Sequence, residues 1–129
     1  MAKITIVDET TMGEQYTWCL NLLDESISLR ELIRRRIYQE VTEYHASQHG
    51  SFRGLVQPSD TERTLNGFHA KRGYHLDWQQ QYEQAITAFM QRRYIVLIDD
   101  QQVTDLNALV TLHVGSEVTF FKLVPLVGG

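Results

Sequence analysis

The chain has 129 residues, 43% of them hydrophobic and 22% charged, which suits one globular domain with a core that needs no staples. A formal net charge of −4 argues against a general nucleic-acid binder, which carries a basic surplus, so no nucleic-acid partner is expected. Cys19 is the only cysteine, so no disulfide can form within the chain and a reducing compartment is the default. No apolar run approaches the roughly 20 residues that span a bilayer. Met1 to Val7 read as a strand, not as an apolar signal region behind a basic start. A cytoplasmic location with no membrane partner is expected.

Ile4 and Ile6 alternate with polar neighbours, the pattern of a half-buried strand. Asp8 to Glu14 holds Thr10, Thr11 and Gly13, a turn composition. Tyr16, Trp18, Leu20 and Leu22 then alternate with Thr17, Cys19 and Asn21, which predicts a hairpin. Ser28, with Glu31 three residues on, has the spacing of a helix-starting capping box. Leu29, Leu32, Ile33, Ile37, Val41 and Tyr44 recur at helical spacing and predict a helix to about Ala46. Arg34, Arg35 and Arg36 cannot all face the core, so at least two belong on the solvated side.

His49 to Gly73 has no clear periodicity and carries several glycines and Pro58. Unstructured stretches of that length, about 25 residues, are functional or disordered. Asp77 is a candidate cap for a second helix, whose apolar face is Trp78, Tyr82, Ala85, Ile86, Phe89 and Met90. Tyr94 to Ile98 predicts a buried strand, Asp99-Asp100 a hairpin turn, and Gln101 to Val103 a short returning strand. Val114-Gly115-Ser116 is a turn, and Glu117 to Val124 the last strand, with Pro125 at its end. There is no internal repeat and no linker, so residues 1–129 read as one domain.

The chain closes on Leu123-Val124-Pro125-Leu126-Val127-Gly128-Gly129. Two final glycines occur by chance in about 1 chain in 200, and here they follow an apolar strand directly. A chain leaving a sheet advances about 3.3 Å per residue, so residues 125–129 could carry a terminal carboxylate about 15 Å away. Glycine has no Cβ, so such a tail can pass a narrow channel in another protein. A carboxylate is a poor acyl donor and must first be adenylated. A partner enzyme would supply the ATP, magnesium and charge stabilisation. The competing reading is a loose end, or a chain that continues until a protease exposes the tail.

From Tyr94 onward the chain resembles the C-terminal part of the ubiquitin-like β-grasp superfamily. It is most similar to the sulfur-carrier branch, in which a Gly-Asp-Glu-Val-like turn leads through two aromatics to Pro-Pro-Val-x-Gly-Gly. The counterpart here is Gly115-Ser116-Glu117-Val118-Thr119-Phe120-Phe121, then Lys122 to Gly129. The N-terminal hairpin and the Ser28 helix also match the superfamily's order. The resemblance covers most of the chain except about 49–93, which is larger than in the usual sulfur carriers. Bacterial ubiquitin-like modifiers share the tail, and some work with an activating enzyme, a conjugating enzyme and a deconjugating metalloprotease in phage defence.

The resemblance implies an α+β fold, a β-grasp: a mixed sheet of four or five strands wrapped on the Ser28 helix, with the first and last strands parallel neighbours. Residues 49–93 would be an insertion of a loop plus a helix. The expected core is Ile4, Ile6, Leu32, Ile33, Ile37, Val96, Ile98, Val118 and one of Phe120 or Phe121. The resemblance implies activation and conjugation at Gly129 and Gly128, with Val127, Leu126 and Pro125 gripped by the partner, and target proteins joined through Gly129. Phe52 and Arg53 begin an apolar stretch that could dock the partner enzyme or pack over the sheet and first helix.

Cys19 reads as a small structural residue, and His113 beside a turn as a surface one. The five histidines have no metal-site spacing. No cofactor and no catalysis by the chain itself are expected. Lysines are few, Lys3, Lys71 and Lys122, a chance preference for arginine or a limit on self-conjugation. Three functions stay open: a protein modifier, favoured by the size and insertion; a sulfur carrier with a thiocarboxylate at Gly129; and a binding module with an inert tail.

Overall fold

The computed structural model describes residues 2–47, 51–52, 54–56, 62–64, 67–69 and 76–123. Strand β1 (Ala2–Thr10) turns into β2 (Gln15–Leu22). Gly13 sits in the turn at φ +86° and donates its N–H to the Thr10 carbonyl at 3.0 Å, a torsion that suits glycine. Ile4 faces Leu20 and Ile6 faces Trp18 across the pair. β1 runs three residues beyond the expected end at Val7, because Asp8 stays on the inner face, where it is buried and ion-paired.

Helix α1 (Leu29–Ser47) follows a three-residue strand, β3 (Ser26–Ser28). The Ser28 Oγ accepts the Glu31 N–H at 3.1 Å, one half of the expected box. The Glu31 carboxylate binds Arg34 and Arg35 instead. Leu29, Leu32, Ile33, Ile37 and Val41 are buried at the spacing of one helix face.

Between α1 and the next long strand lie β4 (Ser51–Phe52), β5 (Glu62–Thr64) and β6 (Gly67–His69), paired antiparallel in the order β4-β6-β5. Helix α2 (Trp78–Met90) follows, and its expected cap is present: Asp77 accepts the Gln79 N–H at 3.0 Å. Ala85, Ala88 and Phe89 are buried on its inner face, but Met90 is 68% exposed, a departure from the expected stripe. Gln81 takes an inner position with an unpaired Oε1.

Strands β7 (Tyr94–Ile98) and β8 (Gln101–Val103) form the expected hairpin. Asp99 and Asp100 both hold positive φ, +48° and +69°, the two positions that a tight hairpin of this hand requires. β9 (Leu109–Thr111) pairs with β3, and β10 (Glu117–Lys122) closes the main sheet.

The molecule is therefore α+β, with a mixed five-stranded sheet in the order β2-β1-β10-β7-β8. The first and last strands are parallel neighbours, in register from Thr5 opposite Glu117 to Thr10 opposite Lys122. Ile4, Ile6, Leu32, Ile33, Ile37, Val96, Val118 and Phe120 are all fully buried, while Ile98 is half-buried. Phe121 points to the opposite face from Phe120, as strand alternation demands, and is half-buried.

Candidate functional site

β10 lies between β1 and β7 and is bonded on both sides. Its last rungs join Lys122 to Thr10 and to Tyr94. One further bond, from the Leu123 N–H to the Arg93 carbonyl at 2.9 Å, ties the residue after β10 to the start of β7. Pro125, Leu126, Val127, Gly128 and Gly129 lie outside the described residues, as does Arg53. Phe52 is placed by its backbone only, in β4 opposite Phe68.

At that end of β10 the chain borders a cleft of about 730 Å³. Leu55, Val56, Ala88 and Leu123 give it apolar surface, and Tyr94 and Lys122 come from the ends of β7 and β10. The Lys122 side chain is on the inner face of β10, and its Nζ donates to the Gly54 carbonyl at 3.2 Å. Burial pushes this amine below the ordinary lysine value, and Arg36 adds to the effect against Asp8, Glu40 and Glu14. Tyr94 donates its hydroxyl to the Ala85 carbonyl at 2.8 Å, and burial raises its phenol.

Behind the cleft is a buried ionic cluster. Arg36 is wholly enclosed. Its guanidinium forks onto both Asp8 oxygens, reaching Oδ2 at 2.7 Å, and its Nε binds Glu40. Asp8 also accepts the Trp18 indole N–H at 3.1 Å, and Glu40 the Leu55 N–H at 3.4 Å. The Arg36 guanidinium carbon stands 4.3 Å from the Phe120 ring centre and 5.2 Å from that of Trp18. One side chain therefore ties α1 to β1, lies over β10 and, through Glu40, reaches the 54–56 segment. Burial alone would lower the Arg36 pKa, but Glu40 and Asp8 outweigh it and hold it above the ordinary value. Burial pushes the Glu40 carboxyl up, against the pull of Arg36.

At least two of the three arginines 34–36 are expected outside the core, and two are. Arg34 and Arg35 pair with Glu31, Arg35 also with Asp24, all at 2.9–3.0 Å in partly exposed positions. Arg36 is the exception. Two signals for it were present: Glu40 four residues on, one helical turn away, and Asp8 in phase with Ile4 and Ile6.

The other candidates stand apart from the tail's root. Cys19 is exposed on the outer face of edge strand β2, where its carbonyl accepts from the Gln39 amide at 3.1 Å. A second cleft, about 460 Å³, runs beside it between β2 and α1, with Leu20, Tyr38 and Thr42 in its walls. His113 is exposed beside its turn, as expected. Among the described residues no three His, Cys, Asp or Glu side chains gather as a metal would need. No helix among them is long and apolar enough to cross a membrane. Comparison with protein-family models, curated proteins and solved structures finds no match to this chain.

Proposed function

We propose that the chain is a ubiquitin-like β-grasp modifier, activated at Gly129 by a partner enzyme and joined through it to amines on target proteins. The observation that carries this reading is the parallel β1–β10 pair. It makes the last strand, β10, a central one, and in the sequence only seven residues, 123–129, run from its end at Lys122 to Gly129. The helix across the inner face and the β7–β8 hairpin support the same superfamily.

In the proposed chemistry a Gly129 carboxylate oxygen attacks the α-phosphorus of ATP and pyrophosphate leaves. An amine, or first a thiol of the partner, then takes the acyl group, with AMP and a proton released. The chain's own part is to present a side-chain-free end, since glycine at both positions removes the Cβ that a narrow channel would reject. The fixed root at Leu123 limits the search volume of that end.

The test is mass spectrometry of N-terminally tagged protein recovered from its host. Isopeptide links from Gly129 to other proteins are the expected result. A gain equal to exchange of oxygen for sulfur would establish a sulfur carrier instead. An unaltered tail in a host expressing the partner enzymes would leave a binding module.

A further inference from the structure

We infer that the cleft at the exit of β10 is a docking site for an extended peptide segment of a partner protein, one that carries a carboxylate between apolar side chains. That this partner is the enzyme that activates the tail rests on the reading above; the cleft's chemistry does not.

Two features select an extended peptide. The cleft has apolar residues, Leu55, Val56 and Leu123, that can take alternate apolar side chains. It is also lined by Gln80, Gln84, Thr87 and Gln91 of α2 and its cap, spaced to share one helix face. The eleven steps of rise from Gln80 to Gln91 cover about 16 Å, the length of about five residues of extended chain. Amide side chains both donate and accept, which is what a peptide backbone offers in return.

Charge selects the carboxylate. The chain as a whole is acidic, yet among the described residues that line the cleft Lys122 and Arg93 stand against a single acid, Glu83. Lys122 gives one of its donors to the Gly54 carbonyl. Burial is the largest influence on it and leaves the amine below its ordinary value; Arg36 acts on it as a like charge, and Asp8, Glu40 and Glu14 act against that. A desolvated amine in that position gains from an added counter-ion. Lys122 is also one residue from Leu123, so a partner seated here is already at the tail's root.

The test is an NMR titration of the full-length chain, using acetyl-Leu-Glu-Leu-Glu-Leu-amide and its glutamine counterpart as probes. Saturable shifts should fall on the amides of Leu55, Val56, Arg93, Lys122 and Leu123. The glutamine peptide should bind about tenfold more weakly, the loss of about one charge-assisted contact. Arg93→Glu should weaken the acidic peptide by a similar factor. This substitution spares the fold, because Arg93 is exposed and its two bonds to Ala88 and Leu123 are backbone ones. Equal affinity for both peptides, or shifts centred elsewhere, would overturn the proposal. So would binding seen only after residues 124–129 are removed, which would make the tail itself the occupant. A chain that is adenylated at Gly129 but ignores the peptide defeats the cleft alone. A chain that binds the peptide but is never adenylated defeats only the tail reading.

Discussion

Replacing Arg36 with methionine tests the buried cluster directly. Methionine fills much of the same space and keeps contact with Phe120 and Trp18, so the change isolates the charge. Asp8 would keep one donor, the Trp18 indole, and Glu40 would keep the long bond from the Leu55 N–H. Both carboxylates would remain buried without a cation. Breaking a buried pair by removing one partner costs about 3–5 kcal/mol. Folded domains are stable by about 5–15 kcal/mol in all, so the variant should be folded but fragile. At about 3 °C per kcal/mol for a chain of this size, Tm should fall by about 10–15 °C. Urea unfolding followed by fluorescence of Trp18 and Trp78 would read the difference, with circular dichroism as an independent probe. The deficit should shrink at acid pH, because protonated carboxyls tolerate burial. Removing all three charges together, as Asp8→Leu, Arg36→Met and Glu40→Leu, should restore much of the loss. A single Arg36→Met variant within about 1 kcal/mol of the parent at pH 7 would refute the idea that the two acids depend on this cation.

Three further outcomes follow from the geometry. In the folded chain burial holds the Glu40 pKa above its ordinary value of 4.5. Between those two values the folded state keeps a proton that the unfolded state has released, so stability falls as pH rises through that window. Glu40→Gln should remove this fall; urea midpoints between pH 4 and pH 7 with an unchanged slope would contradict it. Ser28→Ala removes the acceptor for the Glu31 N–H and should cost about 1 kcal/mol, visible as a lower urea midpoint with the same m-value. Gly115→Ala meets no atom within 4 Å but must hold φ +94°, so a purely backbone cost of about 1–2 kcal/mol is expected. If alanine there were neutral in the same unfolding assay, the torsion would not be what the turn requires.

The regular elements were legible because their side chains alternate or recur cleanly. Ile4 and Ile6, Leu20 and Leu22, and the Leu32–Ile33–Ile37 repeat of α1 each carry their period openly. The parallel neighbouring of first and last strands came from resemblance, since nothing in β1 or β10 alone names a partner. β3 and β9 escaped notice because strands of three residues show no period, and neither follows a strand and turn as β8 follows Tyr94–Ile98 and Asp99-Asp100. Asp8 looked like a turn residue, and its burial depends on an arginine 28 positions away. The cleft is equally hidden, assembled from residues of the 54–56 segment, one side of α2, and the ends of β7 and β10. No spacing rule joins segments so far apart. The final Gly128-Gly129 pair is conspicuous for the opposite reason, being readable from composition alone.

The parallel register of β1 and β10 also governs how the molecule bears load. Because the strands run the same way, the start of β1 and the end of β10 lie at opposite ends of the pair. A pull applied between the N-terminus and anything attached beyond Lys122 therefore slides one strand along the other. The backbone bonds across that pair strain together rather than opening one at a time like a zip. On its other side β10 is also held by β7, from Val118 through Lys122, so extracting the strand must break two ladders at once. A tether on the tail is thus the direction in which this fold resists mechanical unravelling best, and a pull on β2 at the sheet's edge the direction in which it peels.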